Sequence, residues 1–178
     1  MSQEHNRFAG PPVVAVAGAT GAVGAELLNC LERRGFPIAD LRLLASERSA
    51  GRNISFAGRD YQVRPLTTES FEGVDLALLA TDSGISRQFA PAARAAGTVV
   101  IDASSAFRMD ADVPLVVPEA NGEELASHTG LIANPNCVAA IATVALAPLN
   151  RSYSIRRLNL ASYQAASGAG QAGMDELE

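Results

Sequence analysis

A glycine-spaced turn held between an apolar strand and a helix constrains this chain more than any other feature. Val13 to Ala17 is a short β-rich run, Gly18-Ala19-Thr20-Gly21-Ala22-Val23-Gly24 follows at once, and Ala22 to Arg34 reads as a helix stopped by Gly35. Glycine permits the tight turn, lets backbone N–H groups approach a pyrophosphate at the helix N-terminus, and lets helix and strand pack closely. The spacing is Gly-x-x-Gly-x-x-Gly, not the commonest dinucleotide pattern, so the inference rests on the strand and helix at its two ends. A glycine-rich turn with no ligand is the alternative. On the first reading Gly18, Thr20, Gly21, Ala22, Val23 and Gly24 are the candidate cofactor contacts.

The rest of the chain repeats that alternation, which is the pattern of an α/β parallel sheet with crossover helices. Strands are expected at Leu41 to Ala45, Val74 to Ala80 and Thr98 to Ala103, the latter two apolar enough to be buried on both faces. Further strands are expected at Leu115 to Val117, Leu131 to Ala133 and Leu158 to Tyr163. Ser83 to Ala96 reads as a helix with Gly97 as its stop, Arg52 to Val63 as a polar hairpin or edge, and Thr67 to Ser70 as a cap-rich loop. Residues 1–12 form a polar, flexible lead-in, and the only candidate boundary lies at Asn134 to Cys137. That divides the chain into residues 13–134 and 135–178.

At 178 residues, 48% hydrophobic and 19% charged, the composition is that of a soluble globular chain. A formal charge of −5, with no basic cluster, argues against nucleic acid as a partner. No apolar run approaches a membrane span, and the lead-in lacks the apolar core of a signal peptide. Two cysteines at unrelated positions make neither a disulfide framework nor a metal-binding spacing, which fits a reducing cytoplasm.

One of those cysteines carries a chemical signal. Cys137 follows Asn134-Pro135-Asn136 at the junction of a strand with the uncharged helical run Val138 to Leu146, a run expected to be buried. Pro135 forces a turn and brings the sulfur to a helix N-terminus, where N–H groups favour negative charge on the sulfur or on an oxyanion formed beside it. A small buried cysteine is the alternative, and Cys30, in the first helix, is read as core. The tip of the second strand, Ala45 to Gly51, lacks an acid where an NAD site usually has one. Ser46, Arg48 and Ser49 offer donors and a positive charge suited to a 2′-phosphate, hence NADP. Glu47 is the awkward residue there, and Arg48 could be an ordinary exposed arginine.

Taken together, Gly18 to Gly24, Leu44 to Gly51, Ser105-Ala106-Phe107-Arg108, Val116 to Asn121, Asn134-Pro135-Asn136-Cys137 and Tyr163 to Gly170 resemble aspartate-semialdehyde dehydrogenase, in the family's order and from about Val13 onward. N-acetyl-γ-glutamyl-phosphate reductase shares the nucleotide turn and the cysteine chemistry, but its cysteine motif is usually Asn-Pro-Gly-Cys. Asn136 sides with the first family.

The resemblance implies a Rossmann-like doubly wound sheet followed by the beginning of an α+β catalytic and dimerisation domain. It implies reduction of β-aspartyl phosphate by NADPH to aspartate semialdehyde with release of phosphate, on the route to lysine, threonine, methionine and diaminopimelate. Cys137 would form a thioester, Gln164 would orient the substrate, and Arg108 and Asn136 would contact the phosphate. Ser167 and Gly168 would approach the nicotinamide. Arg108 could otherwise be an ion-pair partner, Asn136 a turn residue and Gly168 a point of flexibility. The family also implies a homodimer or homotetramer about twice this length, with a histidine base and a carboxylate-binding arginine beyond Glu178. Neither His5 nor His128 matches that base, and 170–178 reads as the start of a helix cut mid-element. A nucleotide-binding half-enzyme without catalysis of its own is therefore the second expectation.

Overall fold

Six parallel strands set the frame. The computed structural model describes residues 10–169, 173 and 176; most of the expected lead-in and of the expected final helix lies outside the described residues. The strands are β1 (Val13–Ala17), β2 (Asp40–Ala45), β3 (Asn53–Phe56), β4 (Arg59–Gln62), β5 (Arg64–Pro65), β6 (Leu76–Leu79), β7 (Val99–Asp102) and β8 (Leu131–Ala133). The helices are α1 (Ala22–Arg33), α2 (Ser83–Ala95), α3 (Pro118–Asn121) and α4 (Cys137–Tyr153). The sheet order is β5-β2-β1-β6-β7-β8, with every pairing parallel, while β3 and β4 form a separate antiparallel hairpin. The chain thus winds outward from β1 on one side and restarts at β6 on the other, so the Rossmann-like α/β expectation holds.

The central strand shows why. Val14, Val16, Leu41, Leu43 and α1's Leu28 share one apolar cluster, whereas Ala15, Ala17, Leu44, Leu79 and α2's Ala90 and Ala93 share another. Alternate residues of β1 therefore face opposite layers, and Val14 through Ala17 are fully inaccessible. Each buried Val or Leu contributes about 1.5–3 kcal/mol. Gly35 and Gly97, at φ +56° and +85°, end α1 and α2 as the stop signals predict. Thr67 and Ser70 form a reciprocal capping box, as the cap-rich loop suggests.

Four expectations need correction. The uncharged helix becomes α4, longer than expected and with no buried residue; Ile141 is 73% exposed. Lack of charge signals a helix that prefers cover, and the described residues cover it only in part. Leu158 to Tyr163 forms no strand, because no neighbouring backbone pairs with it, and Tyr163 is fully exposed. Leu115 to Val117 contributes only one bridge, Leu115 to Ala133. Cys30 is half-buried, not core: its thiol donates to Glu26 at 3.6 Å and accepts from Arg33 at 3.4 Å on the surface of α1. Among the described residues no helix is long and apolar enough to cross a membrane.

The hairpin turn stores local strain. Ala57 and Gly58 both take positive φ, +49° and +75°, as a two-residue hairpin of the I′ type demands, and alanine pays about 1–2 kcal/mol there. Ala57→Asn is expected to raise the thermal unfolding midpoint by about 2–4 °C, roughly 1 kcal/mol for a chain of this size, measured by circular dichroism.

Candidate active site

The glycine turn sits at the carboxyl end of β1, beside the point where strand order reverses. Gly18 (φ +79°) donates to Leu44 O at 2.8 Å, and Gly21 donates to Gly18 O at 3.0 Å. A Cβ on Gly18 would lie 2.2 Å from Ala80 O, and one on Gly24 would lie 2.2 Å from Gly18 O and 2.8 Å from Ala19 Cα. Backbone packing therefore requires both of these glycines. Gly21 differs, since a Cβ there would meet only Gly18 O, at 3.4 Å. Its bare backbone instead lines a cleft of about 460 Å³ with Gly18, Thr20, Ala45, Ser46 and Thr81, walled by Leu66, Ile85 and Phe89. An open cradle at a helix start, with one polar rim and one apolar wall, fits a dinucleotide.

Of the remaining cofactor candidates Ser46 lines that cleft, whereas Ala22, Val23, Arg48 and Ser49 do not. Ala22 and Val23 form the exposed first turn of α1. Ser46 leads into the short 3₁₀ turn Glu47–Ser49, its hydroxyl making no cap bond. Arg48 is exposed and, among the described residues, has no ion-pair partner; Glu47 is exposed beside it.

The second centre lies at the carboxyl end of β8. Asn136 caps α4, its Oδ1 accepting from Val138 N at 3.0 Å and its carbonyl from Ala140 N at 2.8 Å. This fixes Cys137 as the first helical residue, with its side chain exposed, which removes the buried-cysteine alternative. Gln164 Nε2 donates to Cys137 Sγ at 3.3 Å across 27 residues of sequence. Asn136, Cys137, Gln164 and Gly168 line one cavity of about 810 Å³, with Val138, Ile141, Leu160 and Tyr163 as its apolar surface. The side chain of Ser167 lies outside the described residues. Arg108 does not line that cavity; its Nε donates to Asn134 O at 2.9 Å and an Nη to Ala103 O at 3.0 Å, bracing the turn that presents Cys137.

The two centres share one edge of the sheet. Bonds just beyond the strands continue the ladder, from Gly18 N to Leu44 O, Ala80 N to Ala17 O, Ala103 N to Leu79 O and Asn134 N to Asp102 O. From β1 to β8 is three strand steps, about 14 Å. Side chains that sequence reading passed over hold the loops between them. Asp102 is wholly buried, accepting from Ser86 Oγ at 2.6 Å and Ser104 Oγ at 2.7 Å. Arg87 donates to Ala106 O and stands 5.4 Å over the Phe107 ring. Their one sequence signal is a carboxylate ending the apolar run Val99-Val100-Ile101.

A doubly wound domain with a cleft at its switch point belongs to the dinucleotide-fold class, and an exposed, hydrogen-bonded thiol stands along the same edge. Residues 13–128 match the family described as semialdehyde dehydrogenase, NAD binding domain, and the chain belongs to that family. The resemblance noted in the sequence is thereby borne out. The aspartate-semialdehyde dehydrogenase of Prochlorococcus marinus is 50% identical over 168 residues, and that of Bacillus subtilis 47% over 164; these alignments cover 94% and 92% of this chain. They cover 49% and 47% of the relatives, so the chain spans about half the length of the curated relatives it matches. Among solved structures, Vibrio cholerae aspartate semialdehyde dehydrogenase II complexed with ASA superposes with a TM-score of 0.90 at 45% identity, covering 94% of this chain and 50% of that one. The Candida albicans enzyme with NADP gives 0.68 at 26% identity, covering 81% and 48%.

Gly24 and Gly21 should separate by stability. Alanine in a helix normally gains about 1 kcal/mol over glycine, but Gly24→Ala is expected to lose at least about 2 kcal/mol because the clash is with backbone. Gly21→Ala should cost no more than about 1 kcal/mol. Urea denaturation of the two variants against the parent chain checks both.

Proposed function

We propose that this chain supplies the cofactor cleft and the nucleophile of an NADP-dependent aspartate-semialdehyde dehydrogenase. The observation that carries the reading is Gln164 Nε2 on the exposed sulfur of Cys137, at the start of α4 and on the sheet edge that also bears the glycine turn. Relatives of that name at 45–50% identity support it over N-acetyl-γ-glutamyl-phosphate reductase.

In this reading the Cys137 sulfur attacks the carbonyl carbon of β-aspartyl phosphate. The C–S bond forms from the Cys137 thiolate and pushes the carbonyl electrons onto oxygen; collapse of that oxyanion breaks the C–O bond to phosphate, leaving a thioester on Cys137 and free phosphate. N–H groups at the start of α4 stabilise the oxyanion that precedes that break. Gln164 holds the sulfur and the incoming carbonyl in register, and the Asn136 amide, which lines the cavity, takes the departing phosphate; Arg108, braced beside the cysteine turn, joins it only by turning its remaining Nη toward the cavity. When bound, the nicotinamide cofactor supplies the hydride that takes the thioester to the aldehyde level. Gly18, Thr20, Gly21, Ala22, Val23 and Gly24 hold its pyrophosphate side, Ser46, Arg48 and Ser49 its 2′-phosphate, and Ser167 and Gly168 its nicotinamide end. Placement in the cytoplasm, in the route to lysine, threonine, methionine and diaminopimelate, and in a homodimer or homotetramer, belongs to the same reading.

Titration calorimetry and mass spectrometry test it. NADP⁺ should bind, and Arg48→Ala should weaken NADP⁺ about tenfold, roughly 1.4 kcal/mol, without changing NAD⁺ binding. Incubation with β-aspartyl phosphate should add one aspartyl group to the chain and none to Cys137→Ala, and Gln164→Ala should slow that acylation about tenfold or more. A chain that neither binds NADP⁺ nor becomes acylated ends the proposal.

A further inference from the structure

Among the described residues Asp102 is the one ionisable group that is fully buried. It ends β7 with no exposed surface, and neither ion pair among the described residues involves it. Burying a carboxylate without a cation is costly, and an apolar residue ending a buried strand would cost less. What the carboxylate does with its oxygens gives it a use. Oδ1 accepts from Ser86 Oγ on α2 at 2.6 Å and from Ser104 N at 3.3 Å, and Oδ2 accepts from Ser104 Oγ at 2.7 Å.

The donor directions are then forced. Ser86 spends its one hydroxyl proton on Asp102, so in the 2.9 Å contact with Thr81 the Thr81 hydroxyl must be the donor. Ser104 spends its own proton the same way, leaving its oxygen to accept from Ala106 N at 3.0 Å. An acceptor that can only accept leaves this network a single proton arrangement, and hence a single loop position. The far end of that loop is Arg108, whose two bonds to Ala103 O and Asn134 O reach the turn presenting Cys137. Thr81, in the loop after β6 and joined to the network through Ser86, lines the cleft beside the glycine turn.

We propose that Asp102 is a positioning residue: by locking Ser86 and Ser104 it fixes loop 103–108 between the cleft and the cysteine turn, and through Arg108 it sets where Cys137 stands. The inference rests on Cys137 being the nucleophile. Its readouts use neither substrate nor cofactor, so it can fail while binding of NADP⁺ and acylation succeed, and the reverse.

The test compares the intact chain with Asp102→Asn, a near-isosteric change that turns one acceptor into a donor and breaks the forced order. Two quantities are followed: the rate of Cys137 alkylation by iodoacetamide, with Cys30→Ala as common background, and water exchange of the Arg108 Nε–H resonance by NMR. Asp102→Asn is expected to slow alkylation at least threefold and to speed Nε–H exchange at least tenfold. Thr98→Val is the stability control: it removes a buried hydroxyl that bonds Val74 O and Phe71 O at the start of β7, away from the loop, and should leave both quantities unchanged. If Asp102→Asn does not fold, Ser104→Ala removes one arm of the network and is judged by the same thresholds. An alkylation rate unchanged or raised with Nε–H exchange unchanged overturns the proposal, as does a Thr98→Val control that shifts both equally.

Discussion

Parallel pairing is the constraint on which everything else depends. Strands that run the same way must each return to the opposite edge before the next can begin, so their carboxyl ends, and the loops that leave them, collect along one side of the sheet. β1 fixes this, since both of its faces are inaccessible and both of its neighbours pair with it in parallel. The glycine turn follows β1, the Thr81 loop β6, the Ser104 loop β7 and the cysteine turn β8. The cleft beside the glycine turn and the exposed Cys137 sulfur share one edge as a consequence of that arrangement.

Loops at both ends of the strands carry polar backbone that must be satisfied; most of it pairs with other backbone, and arginine side chains take several of the remaining carbonyls. Arg42 donates to Ser70 O and Glu72 O, Arg94 to Thr129 O, Arg108 to Ala103 O and Asn134 O, and Arg151 to Glu119 O and Ala120 O. Arg42, Arg94 and Arg151 reach from a strand or helix to a different segment, while Arg108 ties its own loop to the turn after β8. Ion pairing plays little part, with two pairs among the described residues, one of them at 4.0 Å. Hydrogen bonds from a charged donor are worth about 1.5–3 kcal/mol, whereas exposed ion pairs give about 0–1. No buried side-chain nitrogen or oxygen among the described residues lacks a partner.

Legibility in the sequence followed the range of the interaction. β1, the hairpin, α2 and both glycine stops depend on alternation and backbone conformation within about ten residues, and they fall where the pattern puts them. The Asn136 cap and the exposed Cys137 follow from Pro135 and the turn it forces. α4's exposure, the failure of Leu158 to Tyr163 to form a strand and the surface position of Cys30 depend on what packs alongside, which no local window contains. The contact between Gln164 and Cys137 is of that second kind as well: family resemblance pointed to both residues, but only the fold brings their side chains together.

The fold class, the glycine turn and the family were legible in the residues alone, because glycine, proline and period-two apolar runs act on the backbone directly. Tertiary structure alone decided which glycines are required by packing and which one is bare for a ligand, and that Arg108 braces the cysteine turn. It alone showed Asp102 to be buried among hydroxyls. Those outcomes depend on distances between atoms far apart along the chain, and a sequence records such distances only through the fold it makes.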